Sequence, residues 1–234
     1  MKVYGIIVAG GHGKRMGTEV PKQLLKLDGV TIIEHSLRPF ILCPDIEGIV
    51  IVAADTIFKH IRKIVKNVSD GDKSLTVVKG GSKRQDSVWN GLETVPDDTD
   101  VVVIHDAVRP FITPNLITEC ARTAMKNGAV TVMRPLKETL KVAENNVVVK
   151  TLDRSTLWIT QTPQAFRTEL IIKAHRLALN ENYTGTDDSM LVEHLGHPVY
   201  IIEGNDMNIK ITTMADLKIA GVILSMFKKL EDRC

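Results

Sequence analysis

The chain has 234 residues, of which 44% are hydrophobic and 25% are charged, a composition typical of an ordinary folded protein. Its 30 Lys and Arg residues against 28 Asp and Glu leave a net charge of +2, and aromatic residues make up only 4%. We therefore expect no nucleic-acid partner, since neither a strong positive field nor stacking surfaces are available. The 3 cysteines form no CxxC pair, and the apolar runs, such as residues 3–11 and 219–224, are far shorter than the roughly 20 residues of a membrane span. These features favour a cytoplasmic protein that does not contact a membrane.

Short runs rich in Val and Ile alternate with helical patterns along most of the sequence. We predict strands at residues 3–9, 48–53, 75–78, 101–105 and 199–202. We predict helices at residues 31–42, 56–67, 83–95, 114–127, 168–182 and 214–230. This alternation predicts a mainly parallel, layered α/β sheet, and we expect residues 1–234 to form a single domain.

A glycine-rich segment, residues 9–17 (AGGHGKRMG), follows the first predicted strand, and Lys22 comes shortly after it. Glycines at a strand end let the backbone turn sharply and present successive N–H groups to an anion. The segment is not a dinucleotide fingerprint, because Met16 stands where the third glycine would be. It is not a Walker loop, because Arg15 follows Lys14 where Ser or Thr would bind magnesium. Together with Lys14, Arg15 and Lys22, it predicts a phosphate-binding loop.

A second glycine turn, residues 80–87 (GGSKRQDS), follows the predicted strand 75–78 and opens a helix. The N–H groups of that turn and the hydroxyl of Ser87 could bind a base or a phosphate.

The segment 105–110 (HDAVRP) directly follows a buried strand. Since ligands in open α/β sheets bind at the carboxyl ends of strands, Asp106 could accept ribose hydroxyls or help to hold a metal, and Arg109 could bind a phosphate. The alternative is an ion pair between these two residues that only ties the loop.

The segment 139–152 interrupts the alternation, because two β-rich pieces flank a turn at Glu144-Asn145-Asn146. A hairpin has no natural place in a parallel sheet, so we expect it to project as an arm at about residues 137–157. Exposed Val147 to Val149 on such an arm would need a cover, and a homodimer is the simplest one.

Lys210 lies between apolar neighbours in the segment 208–212. An inward-pointing lysine there would have an anion as its partner, although an exposed lysine on an edge strand is as common.

Motifs spread from end to end carry a family resemblance: AGGHGKRMG with PKQ, GGSKRQDSV, HDAVRP, KETLK, DRSTLWITQTPQ, TDDSMLVE and EGNDMNIKIT. In this order they resemble the 2-C-methyl-D-erythritol 4-phosphate cytidylyltransferases of the non-mevalonate isoprenoid pathway. The resemblance implies a Rossmann-like nucleotidyltransferase sheet of the GT-A type, flanked by helices and carrying a protruding β-hairpin arm. It also implies a homodimer clasped by exchanged arms and magnesium-dependent transfer of CMP from CTP.

The resemblance assigns roles residue by residue. It implies catalytic cations at Arg15, Lys22 and Lys210. It implies a CTP site at Ala9, Gly10, Gly11, Gly13, Lys14, Gly81, Ser82, Ser87, Asp106 and Ala107. It implies a polyol-phosphate site at Arg109, Thr139, Arg154, Thr162 and Thr186, with Thr139 and Arg154 reaching in from the partner subunit's arm. We expect Mg²⁺ to be held mainly through the CTP phosphates, without dedicated protein ligands.

Two alternatives stay open. A ribitol 5-phosphate cytidylyltransferase has much the same glycine loop, HDAVRP and TPQ segments, and its acceptor is also a five-carbon polyol phosphate. A non-catalytic nucleotide-binding protein on the same scaffold is a more remote alternative. It would have no reason to keep cations that repel one another, such as Lys22 and Lys210.

Overall fold

The computed structural model of the chain describes residues 1–11, 16–17, 20–69 and 71–231, the last two of them without their side chains. The strands are β1 (Val3–Ala9), β2 (Lys26–Leu27), β3 (Val30–Thr31), β4 (Ile46–Ala53), β5 (Ser74–Lys79), β6 (Val101–Asp106), β7 (Ala129–Pro135), β8 (Lys141–Glu144), β9 (Val147–Thr151), β10 (Trp158–Arg167) and β11 (Tyr200–Glu203). The helices are α1 (Ile32–Leu42), α2 (Phe58–Val68), α3 (Arg84–Leu92), α4 (Pro114–Asn127), α5 (Thr168–Asn180), α6 (Asp188–His194) and α7 (Met214–Glu231). Single 3₁₀ turns lie at Lys22–Leu24, Asp55–Ile57 and Arg154–Thr156.

Seven strands form the central sheet in the order β11-β7-β10-β6-β1-β4-β5. The neighbours β6, β1, β4 and β5 run parallel, as do β11 and β7, whereas β10 lies antiparallel between β6 and β7. The predicted mainly parallel α/β sheet is therefore confirmed. Because they run parallel, the strands β1, β5 and β6 end at the same edge of the sheet, which is the edge where such sheets bind ligands.

Helices cover both faces of the sheet. On one face, α1, α2 and α4 pack their apolar sides on it through residues such as Phe40, Ile61 and Ile117. On the other face, α3, α5 and α6 do the same through residues such as Val88 and Ile171. Because β1, β4 and β6 are covered on both sides, their sequences are almost continuous runs of apolar residues, which is why they were predictable as strands.

A third, smaller apolar cluster fixes the segment after β6 against the last helix. Val108 and Phe111 pack there with Ile211 and with Ile223 of α7. The backbone N–H of Ile211 also donates to the carbonyl oxygen of Val108 at 2.9 Å. This packing holds the chain around Lys210 beside the carboxyl end of β6.

Local signals set the ends of α4 as the sequence predicts. The side chain of Thr113 accepts a hydrogen bond from the N–H of Leu116, and Pro114 occupies the first helical position. Gly128, with φ of 92°, ends the helix in a backbone conformation that side chains disfavour.

The strands and helices that were not predicted are the two-residue strands β2 and β3, together with β7, β10 and α6. Strand β10 contains polar residues and Pro163, which are unusual in a central strand. The sheet accommodates Pro163 because the pairing with β7 shifts register between Thr160 and Gln164. Helix α6 is short, and the side chain of Asp187 caps it by accepting from the N–H of Met190.

The predicted hairpin is present as the antiparallel pair β8 and β9, which forms its own two-stranded sheet. Its turn residues, Asn145 and Asn146, both adopt positive φ, as a tight hairpin turn requires. Val147, Val148 and Val149 are 66%, 58% and 55% exposed in the single chain. An apolar strand this exposed is a surface suited to a protein partner.

Within the described residues, the helices are too short or too polar for any of them to cross a membrane.

Candidate active site

The residues that follow β1, β5 and β6 surround a cavity of about 210 Å³. Its described lining consists of Val8, Gly10, Gly11, Lys22, Gln23, Gly81, Ser82, Lys83, Arg84, Ser87, Asp106, Val108 and Lys210. Four of these side chains are cationic and one is a carboxylate, so the cavity suits an anionic ligand. It lies where an open α/β sheet is expected to bind its ligand.

The first wall is the start of the glycine-rich loop. The side-chain amide of Gln23 donates to the carbonyl oxygens of Ala9, at 3.0 Å, and Gly11, at 2.8 Å. These carbonyl dipoles are thereby satisfied by the protein, which lowers their repulsion of a nearby anion. Among the described residues other than its chain neighbours, no atom lies within 4 Å of a Cβ built on Gly11, so packing against them does not require glycine there. The open space at Gly11 leaves room for a ligand to approach the backbone closely.

The second wall is the turn before α3. The N–H of Gly81 donates to Ser87 Oγ at 3.1 Å, and the Ser87 hydroxyl donates to the carbonyl oxygen of Lys83 at 3.0 Å. A Cβ on Gly81 would lie 2.3 Å from Cβ of Asp86, and a Cβ on Gly10 would lie 3.0 Å from Ser87 Oγ. The glycines therefore let two loops pack tightly against the first turn of α3, and Ser87 joins them.

Asp106, the last residue of β6, is the centre of the cationic cluster. Its carboxylate lies 2.7 Å from Lys210 Nζ, 3.5 Å from Arg84 Nε and 3.6 Å from Arg109 Nε. Burial alone would raise the pKa of this carboxyl, but Arg84, Lys210 and Arg109 together outweigh burial and hold the pKa well below its ordinary value. Asp106 is therefore ionised throughout the physiological range.

Arg84 reaches a second buried carboxylate behind the cavity. Its guanidinium lies 2.7 Å from Asp188 Oδ2, and Asp188 is 1% exposed. Burial opposes ionisation of both groups, yet the ion pair keeps the pKa of Arg84 raised and the pKa of Asp188 lowered. Sequence reasoning did not assign Arg84 a role. The signal that could have found it was its place at the start of α3, directly after the glycine turn.

Lys22 and Lys210 come from distant parts of the chain and meet through a shared neighbour. Lys22 is 8% exposed, and its Nζ lies 3.4 Å from the carbonyl oxygen of Ile211. Ile211 directly follows Lys210, whose Nζ contacts Asp106. Both lysines line the cavity, so the inward-pointing interpretation of Lys210 fits the structure better than an exposed edge position.

Asn208 anchors the segment that carries Lys210. Its side-chain amide donates to the carbonyl oxygen of Thr162 at 2.8 Å, and its own carbonyl oxygen accepts from Arg109 Nη1 at 2.7 Å. Asn208 is 1% exposed, so these bonds are shielded from water. Sequence reasoning quoted this asparagine within a motif but assigned it no role.

His105 and Thr162 form a buried pair beneath Asp106. His105 Nδ1 lies 2.9 Å from Thr162 Oγ1, and its Nε2 lies 3.0 Å from the carbonyl oxygen of Arg109. The N–H of Asp106 donates to Thr162 Oγ1 at 3.1 Å. Burial lowers the pKa of His105 to about 4, so the ring is neutral at physiological pH.

The structure brings most of the predicted site residues together. Those that line the cavity are Gly10, Gly11, Lys22, Gly81, Ser82, Ser87, Asp106 and Lys210. Arg109 and Thr162 contact Asp106 directly. Ala9 and Ala107 are buried beside the cavity, where Ala107 donates its N–H to the carbonyl oxygen of Val8 at 3.1 Å. Gly13, Lys14 and Arg15 lie outside the described residues.

None of the five predicted acceptor-site residues is among the described lining residues of this cavity. Arg109 and Thr162 lie directly behind it, whereas the other three are farther away. Thr186 lines a separate surface depression with Asp187 and Met190. Thr139 and Arg154 are exposed at the base of the arm, where Arg154 Nη1 donates to the carbonyl oxygen of Lys137 at 2.6 Å. Within one chain, therefore, the arm residues are separate from the cavity that holds Lys22 and Lys210.

A mainly parallel α/β sheet with glycine turns and converging cations at its carboxyl edge defines a protein that binds phosphorylated nucleotides. The sequence profile of 2-C-methyl-D-erythritol 4-phosphate cytidylyltransferases matches residues 3–226. The chain belongs to this family, and it is therefore a nucleotidyltransferase.

Individual relatives agree with the profile. The chain is 42% identical to the 2-C-methyl-D-erythritol 4-phosphate cytidylyltransferase of Pelotomaculum thermopropionicum, over 95% of this chain and 94% of the relative. It is 43% identical to the enzyme of the same name from Dictyoglomus thermophilum, over 96% of this chain and 97% of the relative.

Solved structures show the same fold. The 4-diphosphocytidyl-2C-methyl-D-erythritol synthase of Anaerococcus prevotii superposes with a TM-score of 0.84 at 29% identity, covering 96% of each chain. The 2-C-methyl-D-erythritol 4-phosphate cytidylyltransferase of Francisella tularensis gives a TM-score of 0.80 at 30% identity, covering 95% of this chain and all of the other.

Proposed function

We propose that the chain transfers CMP from CTP to 2-C-methyl-D-erythritol 4-phosphate, giving 4-diphosphocytidyl-2-C-methyl-D-erythritol and pyrophosphate. Family membership supports the reaction. The single observation that carries it is the meeting of Lys22 and Lys210 on one cavity wall, beside two glycine turns. Such a wall offers both cations and backbone N–H groups to a triphosphate.

The reaction is an in-line displacement at the α-phosphorus of CTP. A phosphate oxygen of the acceptor forms the new bond to this phosphorus, the bond to the oxygen that bridges to the β-phosphorus breaks, and pyrophosphate leaves. The attacking phosphate is already ionised at pH 7, so no general base is required. Catalysis then depends on holding two anions together and on stabilising the charge that develops at the phosphorus.

The described cations match that requirement. Arg84, Arg109 and Lys210 carry three positive charges against the two carboxylates of Asp106 and Asp188, and Lys22 adds a further positive charge on the same wall. The excess positive charge attracts CTP and the acceptor phosphate and offsets their mutual repulsion. We assign Lys22 and Lys210 to the reacting phosphates, and Arg15 to the same role.

The remaining roles follow from position. Asp106 at the end of β6 is placed to accept hydrogen bonds from the ribose hydroxyls, and Arg109 is placed to bind the acceptor phosphate. The turn that includes Gly81 and Ser82, with Ser87 behind it, forms the wall assigned to the cytosine base. Gly10 and Gly11 form the wall assigned to the triphosphate, and we assign Gly13 and Lys14, which follow them in the sequence, to the same ligand.

The donor set fits a magnesium ion carried by the nucleotide. Among the described lining residues, Asp106 is the only carboxylate, and one of its oxygens already contacts Lys210. No group of three or more His, Cys, Asp or Glu side chains in the described part of the chain could hold a metal ion. We propose that CTP phosphate oxygens supply most ligands and that Asp106 contributes at most one. When bound, Mg²⁺ would neutralise charge on the triphosphate.

We further propose that the active form is a homodimer in which the arms are exchanged. The exposed valines of β9 support this assignment, because an apolar strand of that exposure is a liability for an isolated chain. Exchange would bring Thr139 and Arg154 of one subunit to the cavity of the other. It would also explain why these residues are distant from the cavity of their own chain.

We also propose that the enzyme works in the cytoplasm. Cys43 and Cys120 are buried free thiols in the described part of the chain, which suits a reducing compartment.

Pyrophosphate release from CTP with each polyol phosphate in turn tests the proposed function. We expect rapid, magnesium-dependent release with 2-C-methyl-D-erythritol 4-phosphate and much slower release with ribitol 5-phosphate. Faster release with ribitol 5-phosphate would assign the chain the other acceptor. If CTP binds but no pyrophosphate appears with either acceptor, the chain is a non-catalytic nucleotide-binding protein.

A further inference from the structure

The inference concerns Thr162 and His105, which lie beneath Asp106 and are 5% and 0% exposed. Three consecutive hydrogen bonds run from the N–H of Asp106 to Thr162 Oγ1, from Thr162 Oγ1 to His105 Nδ1, and from His105 Nε2 to the carbonyl oxygen of Arg109. The series begins and ends on the turn of residues 106–109 and passes through β10 on the way. It therefore ties this turn to the neighbouring strand.

The chemistry of the groups fixes the direction of each bond. A carbonyl oxygen can only accept, so Nε2 of His105 must carry the hydrogen that it donates to Arg109. A neutral imidazole has a single N–H, so Nδ1 of His105 must accept, and the hydroxyl of Thr162 must donate to it. The pKa of His105, lowered by burial to about 4, agrees with a neutral ring.

This direction leaves Thr162 without a hydrogen to offer a substrate. Its hydroxyl hydrogen is committed to His105, and its oxygen already accepts the N–H of Asp106. A phosphate oxygen needs a donor, and turning the Thr162 hydroxyl toward it would leave Nδ1 of His105 buried without a partner. The role of direct acceptor ligand that the family resemblance implies for Thr162 does not fit this geometry.

We propose that His105 and Thr162 act as a positioning pair, which holds the turn of residues 106–109 in place so that Asp106 and Arg109 face the two substrates. Asn208 supports the same turn, since it joins the carbonyl oxygen of Thr162 to the guanidinium of Arg109. The proposal rests on the proposed function for the identity of the substrates. In this proposal Thr162 supports Asp106 and Arg109 equally. Its loss should therefore affect CTP as much as the acceptor.

Kinetics of Thr162→Val, Thr162→Ser, His105→Phe and the double variant Thr162→Val/His105→Phe test the pair. We expect Thr162→Val to lower kcat/KM for both CTP and the acceptor by about tenfold or more, because both Asp106 and Arg109 lose their support. Thr162→Ser keeps the hydroxyl and should stay within about threefold of wild type. The double variant should be no worse than the more severe single variant, because both substitutions break the same series of bonds.

Other kinetic results would overturn the proposal. If Thr162→Val raises KM for the acceptor alone, and does so equally with and without His105→Phe, then Thr162 binds the acceptor directly. If the variants lower the melting temperature but leave all kinetic constants unchanged, the pair serves the fold and not the site.

Two measurements do not depend on turnover. In ¹⁵N-histidine NMR spectra of the wild-type protein, assigned by comparison with His105→Phe, we expect the Nε2–H tautomer for His105. The Nδ1–H tautomer would overturn the proposal even if a variant failed to fold. Calorimetric binding of CTP without acceptor should weaken about tenfold in Thr162→Val. If Thr162→Val binds CTP as tightly as the wild-type protein does, the positioning role of the pair is refuted. If the wild-type protein binds CTP but does not turn it over with the acceptor, only the proposed function is refuted.

Discussion

Lys22 Nζ lies 3.4 Å from the carbonyl oxygen of Ile211, although the two residues belong to opposite ends of the chain. The contact joins the segment after the glycine-rich loop to the segment before α7. Since Ile211 follows Lys210, it also places two cations on the same cavity wall.

Removing the charge of Lys22 should impair chemistry more than folding. A well-placed cation contributes on the order of 3 kcal/mol to the stabilisation of a phosphoryl-transfer transition state. We therefore expect Lys22→Ala to lower kcat at least about a hundredfold, measured as pyrophosphate release. Lys26→Ala removes an exposed lysine from nearby strand β2 and should leave kcat unchanged. A kcat for Lys22→Ala close to that of the control would contradict the assignment.

Gly11 should be needed for the ligand and not for the fold. Because a Cβ at Gly11 meets no atom of the described residues beyond its chain neighbours within 4 Å, Gly11→Ala should fold normally but raise KM for CTP about tenfold or more by obstructing the phosphates. Gly221→Ala is the matched control, because a Cβ there is equally unobstructed but lies on α7. It should leave KM for CTP unchanged and stabilise the helix by about 0.5–1 kcal/mol. Equal KM values for CTP in the two variants would show that CTP does not contact Gly11.

Asp188 should matter for stability, since it neutralises Arg84 in a buried pair. Removing one partner of such a pair costs about 3–5 kcal/mol, because the other charge is left buried. Arg84 keeps its contact with Asp106, so we expect Asp188→Asn to lower the free energy of unfolding by more than about 1 kcal/mol and at most about 3–5 kcal/mol, measured by urea denaturation. Asp55→Asn breaks an exposed pair with Lys79 and should cost less than about 1 kcal/mol. Losses of the same size for the two variants would mean that the Arg84–Asp188 pair contributes no more than a surface contact.

His105 should make the protein less stable in mild acid. Its pKa falls from the ordinary 6.5 to about 4 on folding, so the unfolded chain binds more protons between these values. Stability should therefore fall as the pH is lowered from 6.5 to 4, by up to about 1.4 kcal/mol per pH unit.

The control for this pH dependence is His105→Phe, which should lose the extra slope in that window. The carboxyls of Asp106 and Asp188 have lowered pKa values, so they contribute to the pH dependence mainly below about pH 5, where the same carboxyls become protonated in the unfolded chain. If urea unfolding gives the same slope between pH 4 and 6.5 for wild type and His105→Phe, the buried neutral histidine is refuted.

Exchange of the arms predicts complementation between inactive subunits. In a mixed dimer of Lys22→Ala and Arg154→Ala chains, one of the two sites keeps both Lys22 and Arg154. When equal amounts mix at random, about half of the dimers are mixed, so about a quarter of all sites are intact. The mixture should therefore recover about a quarter of the activity of the same amount of wild-type protein. The activity of pyrophosphate release would be compared with that of each variant alone. If confirmed mixed dimers show no recovery, Arg154 acts in its own subunit or not at all.

The parts of the fold that the sequence predicts are those in which local pattern and tertiary environment agree. Strands β1, β4 and β6 are apolar because both of their faces are covered, so their composition reveals them. Strand β10 fails that test, since its polar residues include Gln164, whose amide is buried and bonded to Thr131 and Asp187. The hydrogen-bond partners of such a residue are distant in the sequence. The sequence alone therefore makes the residue look like part of a loop.

The same limit applies to the site. Lys22 follows a glycine-rich segment and Asp106 ends a predicted strand, while Lys210 lies between apolar neighbours, so local pattern marks all three as candidates before the fold is known. The pairing of Arg84 with Asp188 was not predictable, because no sequence spacing links a residue at the start of α3 to one at the start of α6. The family resemblance assigned Thr162 to the acceptor, and the sequence alone does not show that its hydroxyl has His105 as a partner.

A crystal structure of the protein with CTP and magnesium would test the central claim most directly. We expect the α-phosphate to lie within hydrogen-bonding distance, about 3.2 Å or less, of Nζ of both Lys22 and Lys210, with the triphosphate against Gly10 and Gly11. A triphosphate bound elsewhere, with neither lysine in contact with it, would contradict the account.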